Sequence, residues 1–447
     1  MLAPMWVPID RIRRLLEIGL PIMAGMVSGV LLGLIDTAMV GTLGNAALGA
    51  VGLASFASFI FLGFFHGFAI AVQATVSRRY GEERFEECAT SLHAALVVVG
   101  LTAPVLSAVL WFGVPSLFPL INPDPVVVAI GVDYIRWLIL QAAFVGFIAA
   151  NSGFWNGVGL SRIYLPAMIA MHVLNVFFNY VFIFGNLGAP EMGAEGAGFA
   201  TFLSNAVGTV LFLALGLRRG GDYRYLRRRT SVSEITTVLR LAVPAGLQQV
   251  LDVAALTATY SIVGMVGTME LACYSVMINF VNVVGLPAWG LGTAGATLVG
   301  QALGRHDKDD AQQWAWDSIK VGMAVMFVLG MPFWIMPDTL LSIWIHDAET
   351  RALAVWPVRI LGFMITFNGV GYMMAMMLNG AGDVKKVTWI NLLTQWGILV
   401  PGAWLMGPTL GFGLLGIWLL HQFVFRLGHV FIFSYFWRRG DWARIAI

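Results

Sequence analysis

The chain has 447 residues, 59% of them hydrophobic and 11% charged, with a formal net charge of +2. Soluble domains carry about 25% charged residues, so this composition excludes an ordinary water-soluble protein and indicates one embedded in lipid. The small positive balance sits in short basic segments, which suits loops anchored at a membrane surface and not a nucleic-acid binder.

In chain order, apolar segments recur at about residues 15–40, 47–75, 88–118, 127–150, 162–186, 194–217, 235–265, 270–300, 314–338, 353–377, 387–406 and 412–436. About 20 helical residues at 1.5 Å each cross a hydrocarbon core of about 30 Å. Gly, Ala and Ser inside the segments favour close helix packing, and the alternation that a transmembrane barrel needs is absent. The expected fold is an all-α integral membrane protein with twelve transmembrane helices. The first segment follows Arg11, Arg13 and Arg14 and is too long for a signal peptide, so it is expected to remain as the first span. Cys88 and Cys273 lie at or within spans and make no disulfide framework.

Arginine and lysine set the orientation. With both termini cytoplasmic, 22 of the 26 basic residues fall inside, three (Arg136, Arg351 and Arg359) fall near the outside, and Arg426 lies within the twelfth span. The positive-inside rule favours this topology, as expected for an inner (plasma) membrane protein.

The chain also repeats itself. One constant offset lays "LLEIGLPIMAG" on "VLRLAVPAGLQ", matching Pro21 with Pro244, and lays "FWNGVGLSR" on "MLNGAGDVK", matching Asn156 with Asn379 and Gly157 with Gly380. Six spans per half is an even number, so both halves insert in the same direction. The expected domains are an amino-terminal lobe (1–217), a cytoplasmic linker (218–234) containing "RRGGDYRYLRRRT", and a carboxy-terminal lobe (235–447). Two such lobes facing each other across a cavity suit alternating access more than catalysis.

The deep polar residues carry the chemistry. In "VLLGLIDTAMVGTLG", Asp36 interrupts an apolar first span. An acid at a helix centre costs about 2.5 to 3.5 kcal/mol on insertion scales and is a functional hypothesis by default. It is expected to take up and release a coupling cation, most simply a proton. Asn175 and Asn179 in "HVLNVFFNY" stand four residues apart on one helix face, where their amides can bond a carboxyl in either protonation state. Asp252 in the seventh span, with Gln248 and Gln249 one turn earlier as candidate partners, and Asn368 in the tenth are secondary candidates. Neither acid has a twin in the repeat, since the offset that pairs the two prolines maps Asp36 to Thr259 and Asp252 to Gly29. Pro21 removes a helix hydrogen bond and is a candidate hinge in the first span.

Histidines are scattered without metal-ligand spacing, and no phosphate-binding loop, nucleophile elbow or dinucleotide fingerprint occurs. The expectation is therefore a transporter with no catalytic residues, no metal and no cofactor, driven by an ion gradient.

These residues resemble the multidrug and toxic compound extrusion (MATE) transporters, specifically their DinF-like branch. "LLGLIDTAMVGTLG" resembles that branch's first-helix motif; "NVFFNYVFIFG", "GAEGAGFAT", "WNGVGLSR" and "LNGAGDVKK" resemble other recurring motifs of the family. The resemblance implies a V-shaped pair of six-helix bundles exporting cationic, amphipathic drugs or toxic compounds in exchange for protons or sodium, as a monomer in membrane lipid. It also implies that Asp36, Asn175 and Asn179 form the cation network. Some relatives carry an acid where this chain has Asn179, and the NorM-like branch carries an acid where this chain has Asn368. The alternative within the superfamily is a flippase for lipids or lipid-linked oligosaccharides. A polyanionic headgroup would call for several deep basic residues, and only Arg426 lies at depth.

Overall fold

The computed structural model describes residues 6–447 apart from Arg228 and Ala446; Arg228, within the expected linker, thus lies outside the described residues. The described chain is helical along its length. Its long elements are α1 (Ile9–Gly41), α2 (Asn45–Gly81), α3 (Cys88–Leu117), α4 (Pro125–Leu140), α5 (Ala142–Gly157), α6 (Leu165–Phe184) and α7 (Gly193–Arg219) in the first half. The second half has α8 (Val232–Val266), α9 (Thr268–Gly304), α10 (Lys308–Ile335), the short α11 (Pro337–Ser342) and α12 (Ala348–Gly380). It ends with α13 (Val384–Thr394), α14 (Val400–Trp404), α15 (Gly413–Leu419) and α16 (Leu427–Arg439).

Among the described residues, ten helices are long and apolar enough to cross a membrane, and α4 with α5, bent by 44° at the break between them, meet the same length and composition only as a pair. The expected span 387–406 falls on α13 and α14, joined by a π-helical turn at Gln395–Leu399 into one helical run that ends in a second π-helical turn at Leu405–Thr409. A further π-helical stretch, Leu420–Arg426, joins α15 to α16. Such turns insert residues into the hydrogen-bond ladder and recur at functional sites.

The internal repeat reappears in the helix boundaries. The offset that pairs Pro21 with Pro244 carries Asn45 and Gly81 of α2 onto Thr268 and Gly304, the two ends of α9, and carries the end of α5 at Gly157 onto the end of α12 at Gly380. The buried faces obey the same offset. Leu15, Ile18 and Ile22 of α1 correspond to Val238, Leu241 and Ala245 of α8, and all six are buried. Their spacing of three and four residues is one helical face.

The helices form two compact units, one of residues Ala24–Val250 and the other of the chain up to Met23 with Leu251–Ile447. The compact units therefore differ from the lobes expected at 1–217 and 235–447: the first part of α8 packs with the first half of the chain, and the first part of α1 with the second. Close crossings explain this. In the first unit, a Cβ on Gly67 of α2 would sit 2.5 Å from the Gly246 nitrogen and 2.8 Å from its Cα, so only glycine lets α8 lie that close. Gly290 of α9, the counterpart of Gly67 in the repeat, likewise faces Gly19 and Met23 of α1 in the second unit.

Ion pairs hold the same helix starts with opposite polarity. Arg79 of α2 grips both carboxylate oxygens of Glu234 in α8, at 2.6 and 2.7 Å. The counterpart of Glu234 in the first repeat is Arg11 of α1, which bonds Asp317 and Asp310 of α10 at 2.6 and 2.8 Å and lies over the Trp314 ring. Bidentate and charge-assisted bonds of this kind fix orientation as well as energy.

Candidate functional site

The geometry around Asp36 is set by small residues that let α1 lie along α6. A Cβ at Gly25 would meet the Met168 sulfur at 2.6 Å, and one at Gly29 would come within 3.6 Å of the His172 ring. Between them, the Ser28 hydroxyl lies 2.8 Å from His172 Nδ1. Two turns further on, Asp36 meets Asn179. Val40, one turn beyond Asp36 on the same face, is fully buried in an apolar cluster with Ile139, Ile183 and Phe118, which fixes the rotation of the end of α1.

The carboxyl is half-buried, whereas Asn175 and Asn179 are 1% and 0% exposed. Asn179 Nδ2 donates to Asp36 Oδ1 at 2.5 Å and to Asn175 Oδ1 at 3.1 Å. Asn175 Nδ2 in turn donates to Thr201 Oγ1 at 3.2 Å and Ser204 Oγ at 3.0 Å on α7. One carboxyl is thus tied through two amides to two hydroxyls on a third helix. Asn179 Oδ1 is buried with no hydrogen-bond partner, leaving an acceptor near the carboxyl. Carboxylate and amide oxygens are ligands for a hard monovalent cation, and the carboxyl alone can hold a proton.

The three residues expected to act together are brought together. The secondary candidates lie in the other compact unit, where each is bonded to a glutamine. Asp252 of α8 accepts from Gln395 Nε2 at 2.7 Å, so the donor comes from a distant π-helical turn. Gln248, one of the partners expected for Asp252, has a buried Oε1 without a hydrogen-bond partner. Asn368 of α12 donates to Gln422 Oε1 at 2.8 Å, and Gln422 is fully buried on the π-helical stretch before α16. Pro21 lies inside α1, two residues before the unit boundary at Met23.

Thr201, Ser204, Gln395 and Gln422 escaped the sequence reading. Small hydroxyl residues are common at membrane helix interfaces, so Thr201 and Ser204 carry no distinct signal. The two glutamines are paired across segments whose π-helical turns shift the facing side chains, and hydropathy does not record such turns.

A family model described as MatE matches residues 21–181 and 244–405. The chain belongs to the MatE family. Both matched segments begin at the paired prolines, Pro21 and Pro244, so the family model covers the two repeats separately. Among curated relatives, the chain is 24% identical over 402 residues to the probable multidrug resistance protein YoeA of Bacillus subtilis (strain 168), covering 87% of this chain and 85% of the relative. It is 27% identical over 424 residues to the probable multidrug resistance protein NorM of Pseudomonas putida, covering 92% and 91%. Its fold matches a multidrug resistance MATE family transporter of the MOP superfamily in an outward-facing conformation, with a TM-score of 0.88, 19% identity and coverage of 98% and 97%. It also matches a MATE crystal structure in a straight conformation, with a TM-score of 0.87, 20% identity and 97% of each chain covered.

Proposed function

We propose that this protein is a secondary active antiporter of the inner membrane, with both termini cytoplasmic, that exports cationic amphipathic compounds in exchange for protons or sodium by alternating access. Coupling runs through Asp36. The observation that carries this reading is a single carboxyl in an apolar span, tied by Asn179 and Asn175 to Thr201 and Ser204, with a spare acceptor oxygen on Asn179. The relatives' names as probable multidrug resistance proteins support drug export, and the cationic, amphipathic character of the compounds follows the resemblance.

In the outward-facing state, a proton or sodium ion on Asp36 cancels the negative charge that attracts a cationic substrate, and the substrate leaves. In the inward-facing state, the ion departs to the cytoplasm and the charge is restored. Asn179 keeps donating to the carboxyl in both forms, so the site changes charge without losing its geometry. Pro21 serves as the hinge, a role supported by its place two residues before the point where α1 passes between compact units.

The energetics limit the device. One proton exchanged for one monovalent cation moves no net charge, so one pH unit, about 1.4 kcal/mol, sustains about a tenfold substrate gradient. A second coupling ion would also draw on the membrane potential, at about 2.3 kcal/mol per charge per 100 mV; Asp252 is the candidate for that role. The lone arginine at depth disfavours a polyanionic lipid headgroup as substrate. The test is drug susceptibility of cells expressing wild type or Asp36→Asn at equal levels. Loss of resistance in the variant is expected, and wild-type resistance would remove Asp36 from the mechanism.

A further inference from the structure

A histidine that the proposed coupling step does not use stands on the same seam as Asp36. In α6, His172 precedes Asn175 by three residues and Asn179 by seven, which puts the three on one helix face. Across from it, α1 presents the small residues Gly25, Ser28 and Gly29, and the ring fits against the last two. With both termini cytoplasmic, α6 starts at the cytoplasmic face, so His172 lies on that side of the asparagines. Ser28 and Asp36 are two turns apart in α1, about 12 Å along the axis.

The hydrogen bonds fix which ring nitrogen is free. The Ser28 hydroxyl has a single hydrogen, and it goes to the Gly25 carbonyl oxygen at 2.7 Å. The 2.8 Å bond between that hydroxyl and His172 Nδ1 is therefore one that the hydroxyl accepts. Nδ1 carries the hydrogen of the neutral ring, and Nε2 keeps an open lone pair. Among the described residues, Nε2 has no hydrogen-bond partner, and no neighbouring charge acts on the ring. The ionisable groups of the elements around it lie two turns or more away along the chain: Asp36 in α1, Tyr180 in α6, Glu195, Arg218 and Arg219 at the ends of α7, and Arg162 in the turn before α6. Asp36 and His172 are both partly exposed, whereas Asn175 and Asn179 are buried. The two groups able to carry a proton are thus the two that stand open at the edge of the seam.

Intramembrane histidines mark proton relays when they share a path with an acid, and imidazole shuttles protons because one nitrogen can bind a proton while the other holds its own. We infer that His172 is the stepping-stone by which the proton released from Asp36 reaches the cytoplasmic side. The Asp36 O–H bond breaks and its proton passes through intervening water to the Nε2 lone pair, where a new N–H bond forms. Nδ1–H stays on Ser28 throughout, so the ring gains charge without turning. Nε2 then gives the proton to cytoplasmic water and the neutral ring is restored. The amides of Asn175 and Asn179 carry no proton themselves and hold the carboxyl in place. The inference rests on proton coupling at Asp36 and deepens that reading.

The experiment uses the full chain in proteoliposomes with a trapped pH dye, ethidium as the cationic probe, and no sodium. His172→Asn keeps an N–H for Ser28 but does not titrate. Its ethidium-driven proton flux should fall at least about fivefold, and its pH profile between about pH 5 and 8 should lose one titration step. Added imidazole should restore the flux, while ethidium binding in detergent stays at the wild-type level. Wild-type flux in His172→Asn overturns the inference, as does a slower flux with an unchanged pH profile and no rescue by imidazole, which would make the Ser28 bond a structural clasp. Should His172→Asn fail to fold, Ser28→Ala keeps the ring but removes the acceptor for Nδ1–H, which favours the charged form, so the same titration step should move to lower pH by about 0.5 or more; an unmoved step overturns the inference. A wild type that moves no protons with ethidium overturns it too and leaves sodium as the coupling ion. Loss of flux in Asp36→Asn beside full flux in His172→Asn removes only the relay, whereas undiminished flux in Asp36→Asn removes the coupling reading itself.

Discussion

The paired crossings at Gly67 and Gly290 allow a quantitative prediction about how the helices of each compact unit are held. The two positions are equivalent in the repeat, yet their surroundings differ. A methyl group at Gly67 would sit 2.5 Å from the Gly246 nitrogen and 2.8 Å from its Cα, and these are backbone atoms of α8. Relief requires α2 and α8 to separate by about 1 Å, which loosens every contact along the crossing; overpacking of this kind costs about 1 to 3 kcal/mol. At Gly290 the methyl would meet the Met23 side chain, with the Gly19 carbonyl next at 3.2 Å. Methionine has three rotatable bonds and yields at a cost of about 1 kcal/mol. Gly67→Ala is therefore expected to lose about 3 kcal/mol and Gly290→Ala about 1 kcal/mol. Thermal unfolding of both variants in one detergent, followed by size-exclusion recovery, measures the difference. Equal midpoints, or a lower one for Gly290→Ala, would refute the reasoning from these contacts.

Three further outcomes follow from the same physical chemistry. Asn179→Leu removes the amide that bonds both Asp36 and Asn175 and should abolish dye efflux while the protein still reaches the membrane; efflux at wild-type rate would show that the amide chain is ornamental to coupling. Glu234→Gln leaves the buried Arg79 charge without its counter-ion and, since Glu234 is partly exposed, should destabilise by about 2 kcal/mol, whereas Glu17→Gln, in an exposed pair with Arg13, should change stability by less than about 1 kcal/mol in thermal unfolding. Asp347 caps α12: its side chain accepts from the Thr350 backbone nitrogen at 2.7 Å, and hydrogen bonding to Thr350 holds its carboxyl below the usual carboxylate range. A depressed folded-state value contributes stability that is present above the unfolded value, about 3.9, and lost as pH falls through the folded value. The destabilisation caused by Asp347→Ala should accordingly be full at about pH 5 to 7 and shrink in acid below the unfolded value, and a difference that stays the same from neutral pH down into that acid range would contradict the cap's charge dependence.

Much of the fold is legible in the sequence because lipid leaves few alternatives. Long apolar runs must be helices there, and the repeat announces itself through prolines and Asn-Gly pairs that recur at one offset. Pro21 and Pro244 mark corresponding points in α1 and α8 for this reason. The division into compact units is not legible, because the stripe Leu15, Ile18 and Ile22 shows that a face is buried but not which half buries it. That choice is made by Gly67 against Gly246 and by Gly290 against Met23, contacts between positions far apart in sequence. At the candidate site, Asp36, Asn175 and Asn179 stand out because polar atoms are rare in such spans. Thr201 and Ser204 do not, since hydroxyl residues are ordinary there. Gln395 and Gln422 are placed by π-helical turns that leave no periodic mark.

The central claim is that the Asp36 carboxyl exchanges a cation when substrate is carried. In proteoliposomes with a pH-sensitive dye trapped inside, adding a cationic substrate outside without a sodium gradient should drive a proton flux opposite to the substrate in the wild type and none in Asp36→Asn. If sodium is the coupling ion, the same exchange should appear as substrate-driven movement of labelled sodium and vanish in the same variant. Substrate-driven ion flux of undiminished size in Asp36→Asn would contradict the account.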